Sequence, residues 1–354
     1  MEKNISSSFK KKVDNRLRRI ADFLLLNASY IENLGLLNGK MGIAIFFFHY
    51  AKYTNNKVFE NYAGELIDEI YEDANSNINI DFENGLTGIG WGIEYLAVNG
   101  FIEADTDIVL ADIDNAVYNS MAKSPHFLND DKNLFCYGLY LLSRLNGQKI
   151  DDENLNTLIK KQHLFYLTTE CENSLIYKRY LDFNILQLSI SKINSILWFF
   201  LEMYKLRILQ KKIIKLIKYL PEYLSYSVIN KEDWINLFVY DELVQEIIKS
   251  VPDAGLQSKF RNLEKNNNLE IDNLLEDNSL LSGLSLISIQ NILYGHSLKF
   301  DELYRDLPFK SLYILENEER WNKIMDDINK KNLGLTGLAG IALNLLQVIT
   351  RVQY

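Results

Sequence analysis

A hexapeptide with glycine at its first and fourth positions recurs along this chain. Three of the copies are Gly39-Lys40-Met41-Gly42-Ile43-Ala44, Gly85-Leu86-Thr87-Gly88-Ile89-Gly90 and Gly337-Leu338-Ala339-Gly340-Ile341-Ala342, and each leads into an apolar run. Weaker copies fall at Tyr137-Gly138-Leu139, at Asn194-Ser195-Ile196-Leu197, near Glu242-Leu243-Val244 and at Gly283-Leu284-Ser285-Leu286-Ile287. The resulting seven slots lie about 50 residues apart, a period that accommodates two helices and their connections. A chain built of such units buries the apolar face of each one against its neighbours.

Only four prolines occur in 354 residues, so obligatory helix breaks are few. Val13, Leu17, Ile20 and Leu24 recur at helical spacing, with basic residues largely on the opposite face. Leu206, Leu209, Ile213, Leu216, Ile217 and Leu220 repeat the pattern before Pro221, and no comparable stretch alternates with period two. An all-α chain is therefore expected. In each unit the glycine turn precedes the more apolar helix, where a missing side chain lets helix ends crowd together. Seven apolar helices inside and seven amphipathic ones outside would form a seven-fold α/α toroid, a single domain over residues 1–354. The helix starts would converge on one mouth, and loops at such a mouth are where chemistry is expected.

The balance of 47 acidic against 38 basic residues gives a net charge of -9, which repels a nucleic-acid backbone. No nucleic-acid partner is expected. Cys136 and Cys171 are too few for a disulfide framework, which fits a reducing cytoplasm. The segment Met1 to Leu26 scatters Lys10, Lys11, Lys12, Arg16, Arg18 and Arg19 among apolar residues and lacks the apolar core of an export signal. Apolar stretches such as Ile43 to Phe48 and Ile196 to Leu201 fall far short of the ~20 residues of a membrane helix, so no membrane span is expected.

The segments Gly39 to Phe48, Glu83 to Leu96 and Gly334 to Leu346 resemble the repeats of lanthionine synthetase C-like proteins, and the likeness extends over nearly the whole chain. The resemblance implies a seven-fold α/α toroid. It also implies a reaction, the addition of a cysteine of a ribosomally made precursor peptide to a dehydroalanine or dehydrobutyrine supplied by a dehydratase. In the family's cyclases a zinc ion at the barrel mouth lowers the thiol pKa so that the thiolate attacks.

Such a site needs three side-chain ligands and one open position. The family's Cys-His-Gly motif opens the sixth repeat, where this chain has Leu280-Leu281-Ser282-Gly283. Leu281 and Ser282 thus stand where ligands are implied. The third ligand, in a Trp-Cys-Tyr-Gly turn of the fifth repeat, falls on Ile235 in one register and on Phe238 in another. The family's catalytic histidine of repeat four falls on Ser191. Leucine cannot donate an electron pair, and a serine hydroxyl binds zinc poorly beside thiolate or imidazole. No metal ligand, catalytic residue or cofactor is therefore expected. His49, His126, His163, His296, Cys136 and Cys171 lie in different units without ligand spacing, and Cys136, in Phe135-Cys136-Tyr137-Gly138, reads as a small buried thiol.

Asp81 and Glu83, before the second glycine turn, read as helix-start residues that complement the helix dipole rather than as an acid/base pair. The basic run Lys205, Arg207, Lys211, Lys212, Lys215 and Lys218 reads as the solvated face of an outer helix, as does the basic N-terminal helix. The resulting functional expectation is a zinc-free, catalytically degenerate relative of the peptide cyclases. It would bind a precursor peptide or support a dehydratase or an active cyclase. The alternative is a cyclase that forms thioethers by proximity alone. A weaker third reading is an unrelated toroid that acts on a glycan.

Overall fold

In the computed structural model the described residues are 7–74, 78–123, 131–147, 154–173, 190–220, 234–264, 277–294, 318–319, 321–322 and 332–352. Among them every regular element is a helix and no strand occurs. The chain divides into two compact units, Met1–Gly92 with Leu275–Tyr354, and Ile93–Leu274. Among the described residues no helix is long and apolar enough to cross a membrane.

The first unit begins with α1 (Ser7–Asn27), whose predicted face of Val13, Leu17, Ile20 and Leu24 is fully buried. A 3-10 turn (Ala28–Tyr30) leads to α2 (Lys40–Thr54), which is buried from Met41 to Phe48 with no polar side. Such an all-round apolar helix belongs in a core. It ends where Asn55 takes the left-handed conformation (φ 49) and donates its backbone N–H to the Ala51 carbonyl. The amphipathic α3 (Lys57–Asp73) starts on Asn56, which caps the Val58 N–H at 3.0 Å, and buries Ala63, Leu66 and Ile70 while packing on α2.

Two further apolar helices, α13 (Asp277–Tyr294) and α14 (Leu338–Val352), complete the described core of this unit. Helix α14 packs on α13, on α2 and on α1.

The unit boundary falls inside α4 (Leu86–Val98), between Gly92 and Ile93. In the second unit follow α5 (Thr106–Val109), α6 (Ala111–Lys123), α7 (Asp131–Asn146), α8 (Leu155–Glu172), α9 (Ile190–Lys205), α10 (Gln210–Ile217), α11 (Trp234–Ser250) and α12 (Ala254–Glu264). The apolar helices α7, α9 and α11 stand side by side, with α9 in the middle. Each carries an amphipathic partner: α8 on α7, α10 on α9 and α12 on α11. The alternation read from the sequence, apolar helix then amphipathic helix, is thus the packing unit.

The three strong glycine copies share one geometry. Gly39, Gly85 and Gly337 immediately precede α2, α4 and α14, and a Cβ on any of them would sit well under 3.0 Å from the carbonyl of Asn33, Asn79 or Asn332. The same three carbonyls accept the first helical N–H groups, from Lys40 (2.9 Å), Leu86 (2.8 Å) and Leu338 (3.4 Å). The second glycines, Gly42, Gly88 and Gly340, approach the carbonyls of Leu36, Phe82 and Leu335 in the same way. The glycines are therefore fixed by the close approach of each helix start to its own incoming loop.

These turns also pack on one another by a repeated rule. Asn33 Nδ2 donates to Asn84 Oδ1 at 2.7 Å, and one repeat away Asn332 Nδ2 donates to Asn38 Oδ1, also at 2.7 Å. Leu37 N–H meets the Glu83 carbonyl at 2.8 Å, and Thr336 N–H meets the Leu37 carbonyl at 3.0 Å. Gly35 abuts the backbone of Asn84 as Gly334 abuts that of Asn38. The turn nearest the C-terminus sits on the first turn as the first sits on the second.

Two expectations are corrected. The weaker slots are not helix-start turns: Gly138 lies within α7, residues 242–244 within α11 and residues 283–287 within α13. Gly138 instead lets the Phe199 ring of α9 approach to 3.0 Å, a helix-to-helix contact. The apolar run from Leu206 to Leu220 is also no single helix. Arg207 (φ 60) and Leu209 (φ 52) break it between α9 and α10, so Leu206 and Leu209 are only half-buried while Ile213, Leu216, Ile217 and Leu220 are buried.

Candidate functional site

The positions that the family resemblance marks lie on the apolar helices. Ser191 is exposed in the first turn of α9, Ile235 lies in the first turn of α11, and Phe238 is half-buried in α11. These two helix starts are joined, because Asn194 Nδ2 donates to the Asn236 carbonyl at 2.6 Å. Leu281 and Ser282 belong to the other unit and lie inside α13, whose start at Asp277 precedes them. Their side chains are outside the described residues.

Each unit also holds a buried carboxamide on an apolar helix. Asn194 Oδ1 and both polar atoms of Asn344 in α14 have no hydrogen-bond partner among the described residues, although the residues are 3% and 0% exposed. A buried amide left unmade costs about 1–3 kcal/mol.

Among the described residues no group of three or more His, Cys, Asp or Glu side chains is arranged to hold a metal. His49 sits in α2, where burial and then the charge of Lys52 lower its pKa to about 4. His163 in α8 stacks on Tyr118 with ring centroids 4.0 Å apart and bonds through Nδ1 to the Ile159 carbonyl at 2.9 Å. Cys136 and Cys171 are both buried, in α7 and α8, and burial pushes the Cys171 thiol well up. His126 and His296 lie outside the described residues. Asp81 serves its turn, accepting the Asn84 N–H at 2.7 Å, and the Glu83 side chain is exposed.

The densest charge cluster among the described residues is one the sequence did not announce. Arg144 of α7 is fully buried, and its NH1 group reaches Glu94 at 2.5 Å and Thr106 Oγ1 at 3.0 Å. Its NH2 group reaches Asp107 at 2.7 Å and Asp114 at 3.2 Å. Lys160 of α8, also buried, shares Asp107 at 2.8 Å, and Tyr140 donates to Asp114 at 2.6 Å. Burial opposes the guanidinium charge, but the hydrogen bond and charge of Asp114, with Glu94, outweigh it and raise the Arg144 pKa. Burial and Asp114 together hold Tyr140 protonated. The one available signal was a charged residue on an apolar helix, as with Glu94 among the residues of α4.

On the outer helices, three lysines of the basic run that starts at the end of α9 are paired. Lys205 pairs with Glu246 at 3.1 Å, Lys212 with Glu172 at 2.7 Å and Lys218 with Asp253 at 2.7 Å, each bridging to a neighbouring helix or its flank. The basic face of α1 lines a groove together with Asp22 and Glu318. No protein-family model matches the chain, and neither a curated protein nor a solved structure matches it.

Proposed function

We propose that the chain is a lanthionine synthetase C-like α/α toroid of seven helical hairpins that works in a reducing cytoplasm. Its role is to bind a ribosomally made precursor peptide, or to support a dehydratase or an active cyclase, without a zinc site of its own. The observation that carries this reading is the repeated turn geometry. The pairing of Asn332 with Asn38 copies that of Asn33 with Asn84, which is what neighbouring units of a closed ring require of the last and first turns. The zinc-free part rests on donor chemistry, with leucine and serine at the implied ligand positions and no His/Cys/Asp/Glu cluster among the described residues.

The test uses a synthetic peptide carrying one cysteine and one dehydroalanine. The purified chain is expected to retain no stoichiometric zinc by elemental mass spectrometry after zinc loading and dialysis. It is expected to bind the peptide while the thiol stays open to alkylation. Loss of the thiol without change in mass would mean ring closure and would favour the metal-free cyclase instead. One tightly held zinc per chain would overturn the ligand argument.

A further inference from the structure

Asparagine followed by glycine leaves a side-chain amide open to attack by the next backbone nitrogen, because no Cβ on the following residue hinders the approach. The chain contains four such pairs, Asn38-Gly39, Asn84-Gly85, Asn99-Gly100 and Asn146-Gly147. Tertiary structure treats them unequally. The carboxamides of Asn38 and Asn84 are locked into the packed turns. Asn38 Oδ1 accepts from Asn332 at 2.7 Å and from Thr336 at 2.6 Å, and Asn84 Oδ1 accepts from Asn33 at 2.7 Å and from Asn38 at 2.9 Å. Asn146 is exposed, but its Nδ2 reaches Glu202 of α9 at 3.4 Å, and Gly147 is wedged against Glu94 with no room for a Cβ.

Asn99 and Gly100 directly follow α4. Both are exposed, and a Cβ on Gly100 (φ 69) would meet no described atom within 4 Å. Their hydrogen bonds stay inside one turn. Gly100 N–H donates to the Ala97 carbonyl at 3.0 Å and Phe101 N–H to the Leu96 carbonyl at 2.9 Å. The backbone N–H and Nδ2 of Asn99 both donate to the Tyr95 carbonyl, at 3.1 and 2.8 Å. This is the left-handed glycine cap of a helix C-terminus. Helix ends fray at low cost, and one opening of this turn frees the Gly100 nitrogen and the Asn99 carboxamide together. The other three pairs are held by residues of other segments and need a larger opening.

We propose that Asn99 is a modification site, at which the side-chain amide is lost by deamidation with water as the only co-reactant. The Gly100 nitrogen gives its proton to water or hydroxide and bonds to Asn99 Cγ. The Cγ–Nδ2 bond breaks, and Nδ2 takes up a proton and leaves as ammonia. Water then opens the resulting cyclic imide. Cleavage at Cγ gives aspartate, cleavage at the backbone carbonyl gives isoaspartate, and nothing is oxidised or reduced. Either product carries a carboxylate where α4 presents the negative end of its dipole, so the change works against the cap. The site is independent of the peptide pathway proposed above.

The test is peptide mapping of the full chain by mass spectrometry after incubation at mildly alkaline pH, with aspartate and isoaspartate resolved by chromatography. The Asn99 peptide is expected to convert about tenfold faster than the peptides that carry Asn38, Asn84 and Asn146, in line with the cheaper local opening. Its rate is expected to rise with pH, because the first step removes the Gly100 amide proton. In urea the four pairs are expected to convert at similar rates, which assigns the difference to the fold. Conversion of Asn99 no faster than that of Asn38 or Asn84 in the folded chain would overturn the proposal, as would faster conversion at Asn146. So would the same preference for Asn99 in urea, because local sequence and not the helix end would then select it.

Discussion

Asn332 donates its carboxamide N–H to Asn38 at 2.7 Å across 294 positions of sequence, and Asn38 in turn donates to Asn84 at 2.9 Å. One asparagine thus couples three turns, since its Oδ1 also accepts the Thr336 hydroxyl at 2.6 Å. Asn38→Ala removes two accepted bonds and one donated bond. It is expected to cost about 1–3 kcal/mol, because partners that remain partly buried lose their mates. Urea unfolding of the variant against the parent measures this.

The glycine turns give a contrast between two substitutions of the same kind. Gly85→Ala drives a Cβ against the Asn79 carbonyl, which belongs to backbone and cannot swing away. A loss of about 1–3 kcal/mol or more is expected. Gly64→Ala, in α3, places its Cβ in open space. It is expected to stabilise by about 0.4–1 kcal/mol through the unfolded chain. Paired thermal melts separate the two signs.

Arg144→Met strands Glu94 and Asp114 in a region where Arg144 is fully buried. Breaking one side of a buried pair costs about 3–5 kcal/mol, whereas replacing both sides with apolar groups is often close to neutral. The double variant R144M/E94M is therefore expected to lose less stability than the two single variants added together. A denaturation double-mutant cycle reads the coupling directly.

His49 sets a pH dependence of defined sign. Its folded pKa of about 4 lies below the unfolded 6.5, with burial as the first cause and Lys52 as the second. Between those values the unfolded chain takes up a proton that the folded chain refuses, so stability falls as pH drops. The slope approaches at most about 1.4 kcal/mol per pH unit. Above 6.5 both forms are neutral and the contribution to stability is fully present; below about 4 it is lost. His49→Gln is expected to flatten this part of the profile, measured as the difference between parent and variant unfolding at each pH.

The apolar and amphipathic stretches could be read because helical periodicity is local. Val13, Leu17, Ile20 and Leu24 meet their core however the rest of the chain folds. The strong glycine copies were legible for the same reason, since Gly39 and Asn33 are neighbours in sequence as well as in space. The weaker slots misled, because Gly138 answers to the Phe199 ring on another helix and not to a turn of its own. The basic face of α1 was visible as composition. The groove it lines also takes Glu318, which the sequence places about 300 residues away.

The sequence by itself determined an all-helical chain of repeated apolar and amphipathic helices, with glycine wherever a helix start presses on its own loop. Contiguous residues carry both of those constraints. Tertiary structure alone decided which asparagines pair across turns and which carboxylates neutralise Arg144. A hydrogen bond or an ion pair depends on distances of about 3 Å between side chains whose separation along the chain says nothing of their separation in space.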